Sequence, residues 1–248
     1  MTESEWFACT EPAPMLEFLE DKVSNRKVRL LACAVVRHVP FSRDGMTIWE
    51  LLPRCAWLRS PEFPGVDCHS VIETAERMAD GEPSEGEWKA SVRHARYINY
   101  AAEPEAWGDV PGSHLRYALT DAVQRTVSYN DNKDSVFLIR YLINYLYVYY
   151  RYANYEIHSK FERRVCGIIR DAIGNPFQPP TIDPSWLTDG AIPISEFIYK
   201  EQAFDRMPIL GEVLEDAGCD DDIILSHSRS QSRHVRGCWV VDAILGKS

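Results

Sequence analysis

Apolar residues return every three or four positions through most of this chain, the period of helices that bury one face. Met15, Leu16 and Leu19 form one stripe, with Thr10 or Glu11 placed to cap the helix and Pro12 or Pro14 in its first turn. Val28, Leu31, Ala32 and Val35 form the next, opposite a basic face that carries Arg26, Lys27 and Arg29. Cys33 lies beside that stripe and reads as a small buried hydrophobe. Residues 67–81 repeat the period through Val71, Ala75 and Met78, with Asp67 as a cap and Gly81 as a stop. Ser84 and Glu87 then form a capping-box pattern that starts a helix running to about residue 101. Glu73 and Glu76 sit one turn apart, and the pattern reads them as a solvated face.

Prolines and glycines break the pattern at 40–66, apart from a short helix near 46–52, and again at 103–112. A further helix is expected over 113–129. The next segment holds seven tyrosines between Tyr141 and Tyr155. Such residues also suit strands. However, Phe161, Val165, Ile168 and Ile169 continue a helical stripe, and no turn residue interrupts 135–173. The expectation is one long helix or two nearly collinear ones, with the tyrosine rings buried. Gly174 ends it, and Pro176, Pro179, Pro180 and Pro184 hold the following strap extended, pinned by Phe177 and Trp186. Short helices follow at 194–204, 207–218, about 220–227 and 235–245, with carboxylates at the start of the third.

The fold class expected is therefore all-α: a helical bundle with a long central Tyr-rich helix and a C-terminal module of short helices joined by a Pro-rich strap. The parts are an N-terminal helical region (1–102), long central helices (113–175) and a short-helix module (176–248), on one continuous core. The 248 residues suffice for a sizeable core, and 45% hydrophobic with 26% charged residues is a globular balance. A net charge of −10 makes nucleic acid a partner only through local basic faces or within a complex. No membrane segment is expected, because Arg140 and Asn144 interrupt the most apolar run. Seven scattered cysteines behind an acidic, polar start suggest reduced thiols and a cytoplasmic location.

The stretches MTESEWFACTEPAPMLEFLEDK, CGIIRDAIGNPFQPPTIDPSWL, FDRMPILGEVLEDAGCDDDIILSH and HVRGCWVVDAILGK resemble an uncharacterised family of paralogous planctomycete proteins. The resemblance covers both ends of the chain, while residues 103–160 depart from it. It implies a bacterial, cytosolic, mainly helical protein and transfers no catalytic residue.

Candidate chemistry concentrates in HSRSQSRHVRGCWVVD, residues 227–242. Cys219, His227, His234 and Cys238 are zinc-ligand types at a non-standard spacing. A helix over 220–227 would set Cys219 and His227 about 12 Å apart at 1.5 Å per residue, which removes Cys219. His227, His234 and Cys238 remain a candidate metal trio, with zinc as the ion. His234 with Cys238 and Asp242 is also a candidate thiolate pair, although the neighbouring Trp239 favours burial. Arg229, Arg233 and Arg236 lie beside a helix start and form a candidate anion site, or a basic loop that pairs with Asp220–Asp222. No P-loop, G-x-S-x-G, H-E-x-x-H or G-x-G-x-x-G pattern occurs. The leading expectation is a non-enzymatic interaction protein, an adaptor or accessory subunit with a protein partner. The alternatives are a metal-binding regulator or metal-dependent hydrolase, and an accessory protein of a nucleic-acid complex.

Overall fold

The structure is a computed structural model that describes residues 1–40, 46–51, 68–101 and 155–247. Among these residues the fold is all-α, with one isolated bridge between Pro40 and Thr47. No described helix is long and apolar enough to cross a membrane. The expected helix at 113–129 and nearly all of the tyrosine-rich run lie outside the described residues. So do the boundaries drawn at 102 and 113. The chain divides into two compact units, residues 9–165 and residues 1–8 with 166–248.

In the unit of residues 9–165, helices Pro12–Leu19, Asn25–His38, Cys68–Ala79 and Glu85–Ala101 follow the apolar stripes. Met15, Leu16, Leu19, Val28, Leu31, Ala32, Cys33 and Val35 are all buried. Caps stand where small polar residues can reach orphan amides. Ser24 Oγ accepts from Lys27 N, and Ser84 and Glu87 exchange their capping-box bonds at 2.9 and 3.3 Å. Two charged positions depart from the pattern. Glu76 is buried and accepts both Arg37 Nε (2.5 Å) and Nη2 (3.0 Å). A solvated Glu73/Glu76 face is thus corrected: only Glu73 is exposed, because Arg37 of the neighbouring helix supplies a fork that draws Glu76 inward. Arg26 similarly reaches Asp80 at 3.0 Å, and Arg29 is buried, so the basic face of that helix turns partly inward.

The other unit is built around the end of helix Tyr155–Ile173 and four later helices: Ala191–Glu201, Met207–Asp216, Asp222–Arg229 and Trp239–Ile244. Ile198, Leu210, Leu214, Ile224, Val240, Val241 and Ile244 form its core. Pro208 stands in a first turn, and Asp221 caps the next helix by accepting from Ile223 N and Ile224 N. Trp186 packs against this core as expected of an anchor, whereas Phe177 is exposed. The first residues belong here too. A Thr2/Glu5 capping box starts helix Glu3–Ala8, which buries Trp6 completely. Its indole donates to Gly174 O at 3.0 Å, while Arg170 Nη2 donates to Trp6 O at 2.7 Å. Gly174 ends the long helix at φ +72°, and a Cβ there would lie 2.9 Å from the Trp239 ring. Both the backbone conformation and the close approach require glycine.

Trp6→Ala removes a fully buried ring and its hydrogen bond, and is expected to lower stability by about 3–5 kcal/mol. Urea denaturation followed by circular dichroism measures it.

Candidate metal centre

Asp171 belongs to the last turn of helix Tyr155–Ile173, where a carboxylate opposes the negative end of the helix dipole. It also falls on the buried face, beside Ala172 and one turn after Ile168. Burial alone would raise its pKa. Hydrogen bonds and charge from His227 and His234 outweigh that, so its carboxyl is held below the ordinary carboxylate range.

Three donors converge on it. His234 Nδ1 lies 2.7 Å from Oδ1, and His227 Nε2 lies 3.3 Å from the same oxygen. The backbone N–H of Val235 donates to Oδ2 at 2.8 Å. His227 sits in the last turn of helix Asp222–Arg229, its side chain 17% exposed. His234 lies in the following loop with its side chain 2% exposed. That loop turns at Gly237, φ +92°, where Cys238 N donates to Val235 O at 2.9 Å. Cys238 then takes the N-cap position of helix Trp239–Ile244, fully buried. Its Sγ is 3.2 Å from His227 Nε2 and 3.8 Å from His234 Nδ1. The two imidazoles meet edge to face, 4.8 Å between centroids.

The expected trio His227, His234 and Cys238 is therefore brought together, but not by a final helix that begins at 235. The helix starts at Trp239, and a glycine turn sets the 234–238 spacing instead. Asp171 is the member that sequence reasoning missed. One ligand atom from each of the four lies within 4.8 Å of the others. Cys219 is outside this group, as helix length requires, and burial raises its thiol pKa. Two of the three arginines are engaged by different elements. Arg229 pairs with Glu215, not with the Asp220–Asp222 run, and Arg236 stacks over Tyr199 at 4.8 Å. Arg233 is exposed.

The donor set suits a divalent transition metal. Tetrahedral zinc, with ligands at about 2.0–2.3 Å, separates its donor atoms by about 3.3–3.8 Å. Here Asp171 Oδ1 lies 2.7 Å from His234 and 3.3 Å from His227, Cys238 Sγ lies 3.8 and 3.2 Å from the same two rings, and the whole set falls within 4.8 Å. Two nitrogens, one sulfur and one oxygen favour zinc over magnesium or calcium, which take oxygen. A carboxylate and a thiolate around a dication also leave no net charge in a buried site. Against known proteins, the chain matches no family model, no curated protein and no solved structure.

Asp171→Asn leaves the shape of the metal-free cluster and removes its buried acceptor charge. The expected loss is about 3–5 kcal/mol in urea denaturation at neutral pH. The sign in pH follows from the lowered carboxyl: its contribution is complete above the ordinary carboxylate pKa and is lost as pH falls below about 4. A titration of stability against pH should therefore be flatter in the variant.

Proposed function

We propose that this chain is a metal-binding protein of regulatory type, holding one zinc-like divalent ion at the Asp171, His227, His234 and Cys238 cluster. The observation that carries the reading is the convergence of four buried or half-buried donor groups from one helix end, a second helix, a loop and an N-cap. Two members already have the outer contacts that metal ligands need. Asp171 keeps its second oxygen on Val235 N, and His234 points its Nε2 at Ser230 O, 3.4 Å away. A free thiol kept available as a ligand suits a reducing compartment, which agrees with the cytoplasmic location expected from the scattered cysteines.

A second reading, an adaptor that recruits a protein partner, draws on exposed apolar side chains in the same unit. Phe197 is 51% exposed on helix Ala191–Glu201. Such a side chain favours contact with another protein only as part of a larger patch.

Metal analysis of the purified chain is expected to return about one equivalent of zinc per protein, since the cluster offers one ligand set. His234→Asn and Cys238→Ser should fall below about a tenth of that, with circular dichroism unchanged from the metal-stripped wild type. Cobalt substitution supplies a separate readout: the wild type should show a thiolate-to-cobalt charge-transfer band that Cys238→Ser lacks. Absence of metal from the wild type, at equilibrium with a zinc buffer, would end the reading.

A further inference from the structure

Within the cluster His227 differs from the other three groups. Its Nδ1 lies 3.1 Å from Trp239 Nε1, and an indole N–H can only donate. Nδ1 is therefore an acceptor, and in the neutral ring the proton sits on Nε2. That proton points at Asp171 Oδ1, 3.3 Å away, and at Cys238 Sγ, 3.2 Å away. A histidine bound to metal through Nε2 needs the opposite arrangement, with Nδ1–H facing an acceptor. His234 has an acceptor, Ser230 O, beside the nitrogen that would point away from a metal, while His227 has only a donor there. His227 is also the most exposed member of the set, its side chain 17% exposed against 2% for His234 and 4% for Asp171.

A cavity of about 300 Å³ opens at this side of the cluster. His227 and Asp171 both line it, and Phe7, Ile223 and Trp239 give it apolar walls, with Arg170 among its polar groups. All of these residues belong to one unit. Apolar walls around a few polar groups are the usual composition of a small-molecule site. The cavity thus reaches the metal cluster on the side where one donor is unsuited to permanent coordination.

We propose that Asp171, His234 and Cys238 are the fixed ligands and that the fourth coordination position is exchangeable. It takes the carboxylate of a small organic acid, whose apolar body fills the cavity. His227 stands beside that position as a hydrogen-bond donor, its Nε2–H directed at the bound oxygen and its Nδ1 held by Trp239. The inference rests on the metal-binding reading and adds what the metal is for: sensing a small acid. Three protein ligands with one open position is the arrangement of exchangeable zinc sites, in contrast to closed structural ones.

The test uses the full chain loaded with cobalt, with benzoate as probe, benzamide as its neutral counterpart and chloride as a bare anion. Benzoate should shift the visible cobalt bands saturably, and benzamide and chloride should not at the same concentration. Gly167 lines the cavity, and a Cβ built there meets nothing within 4 Å, so Gly167→Leu extends a side chain into the space. That variant should keep its full metal content and lose benzoate affinity at least about tenfold, the scale of one well-placed apolar contact removed or blocked. His227→Gln, which keeps an N–H donor, should retain near-stoichiometric metal, while His234→Gln should not. Loss of metal from His227→Gln would show a closed four-ligand site and overturn this inference while leaving the metal reading intact. A benzoate response that is absent, or equal in wild type and Gly167→Leu, overturns it as well. Failure of the wild type to take up metal at all would instead sink the underlying metal reading.

Discussion

A buried carboxylate that must be satisfied governs the C-terminal unit. Asp171 lies where neither water nor the helix dipole favours its charge, so every stabilising contact comes from protein donors. They come from a loop backbone, a loop imidazole and a helix-end imidazole. Directly after those donors the chain turns sharply at Gly237, φ +92°. The same turn puts Cys238 at an N-cap and Trp239 at the start of the last helix. Trp239 then lies against Gly174, three residues beyond Asp171. One charge thus couples the end of a long helix to the loop and the final helix, and the cysteine reaches the cluster as a consequence.

The helices were legible in the sequence because their apolar period and caps are local properties. Met15 to Leu19, Val28 to Val35 and the Ser84/Glu87 box needed no knowledge of what they pack against. The misjudged positions all depend on a distant partner. Glu76 looks solvated until Arg37, on another helix, offers a bidentate fork. Phe177 looks like an anchor because it is aromatic, yet it stays exposed. His227, His234 and Cys238 were legible as residue types within a dozen positions of one another. Asp171 was not, being more than fifty positions away. Its trace in the sequence was an acid on the apolar stripe, at the wrong end of a helix dipole. That combination is a local conflict of the sort that functional sites carry.

The arginines illustrate the limit of reading chemistry from proximity in sequence. Arg229, Arg233 and Arg236 fall within eight positions and suggested one anion site. A helix end and a glycine turn send them different ways. Arg229 meets Glu215 across two consecutive helices that pack closely, since a Cβ at Gly211 would lie 3.2 Å from Ser228 Cβ. Arg236 instead covers the ring of Tyr199, which Lys247 also approaches at 4.7 Å. These contacts tie surface charge to the framework around the cluster.

Trp239 connects core packing to site chemistry. Its ring is 7% exposed, packed among Val240, Val241 and their neighbours, while its N–H fixes the outer nitrogen of His227. The cluster therefore has protein hydrogen-bond partners without any ion: indole to imidazole, imidazole to carboxylate and thiol, backbone to carboxylate. Small zinc domains that lack such an arrangement unfold when stripped, because their ligands have no other partners. Here the protein partners substitute for the ion, and the surrounding apolar core supplies stability of its own. The shortest of these bonds joins His234 Nδ1 to Asp171 Oδ1 at 2.7 Å, while the outer nitrogen of His234 faces a carbonyl. The Asp171 cluster is thus held by protein partners, and the packing of Trp239 and the polar contacts of the histidines are parts of one arrangement.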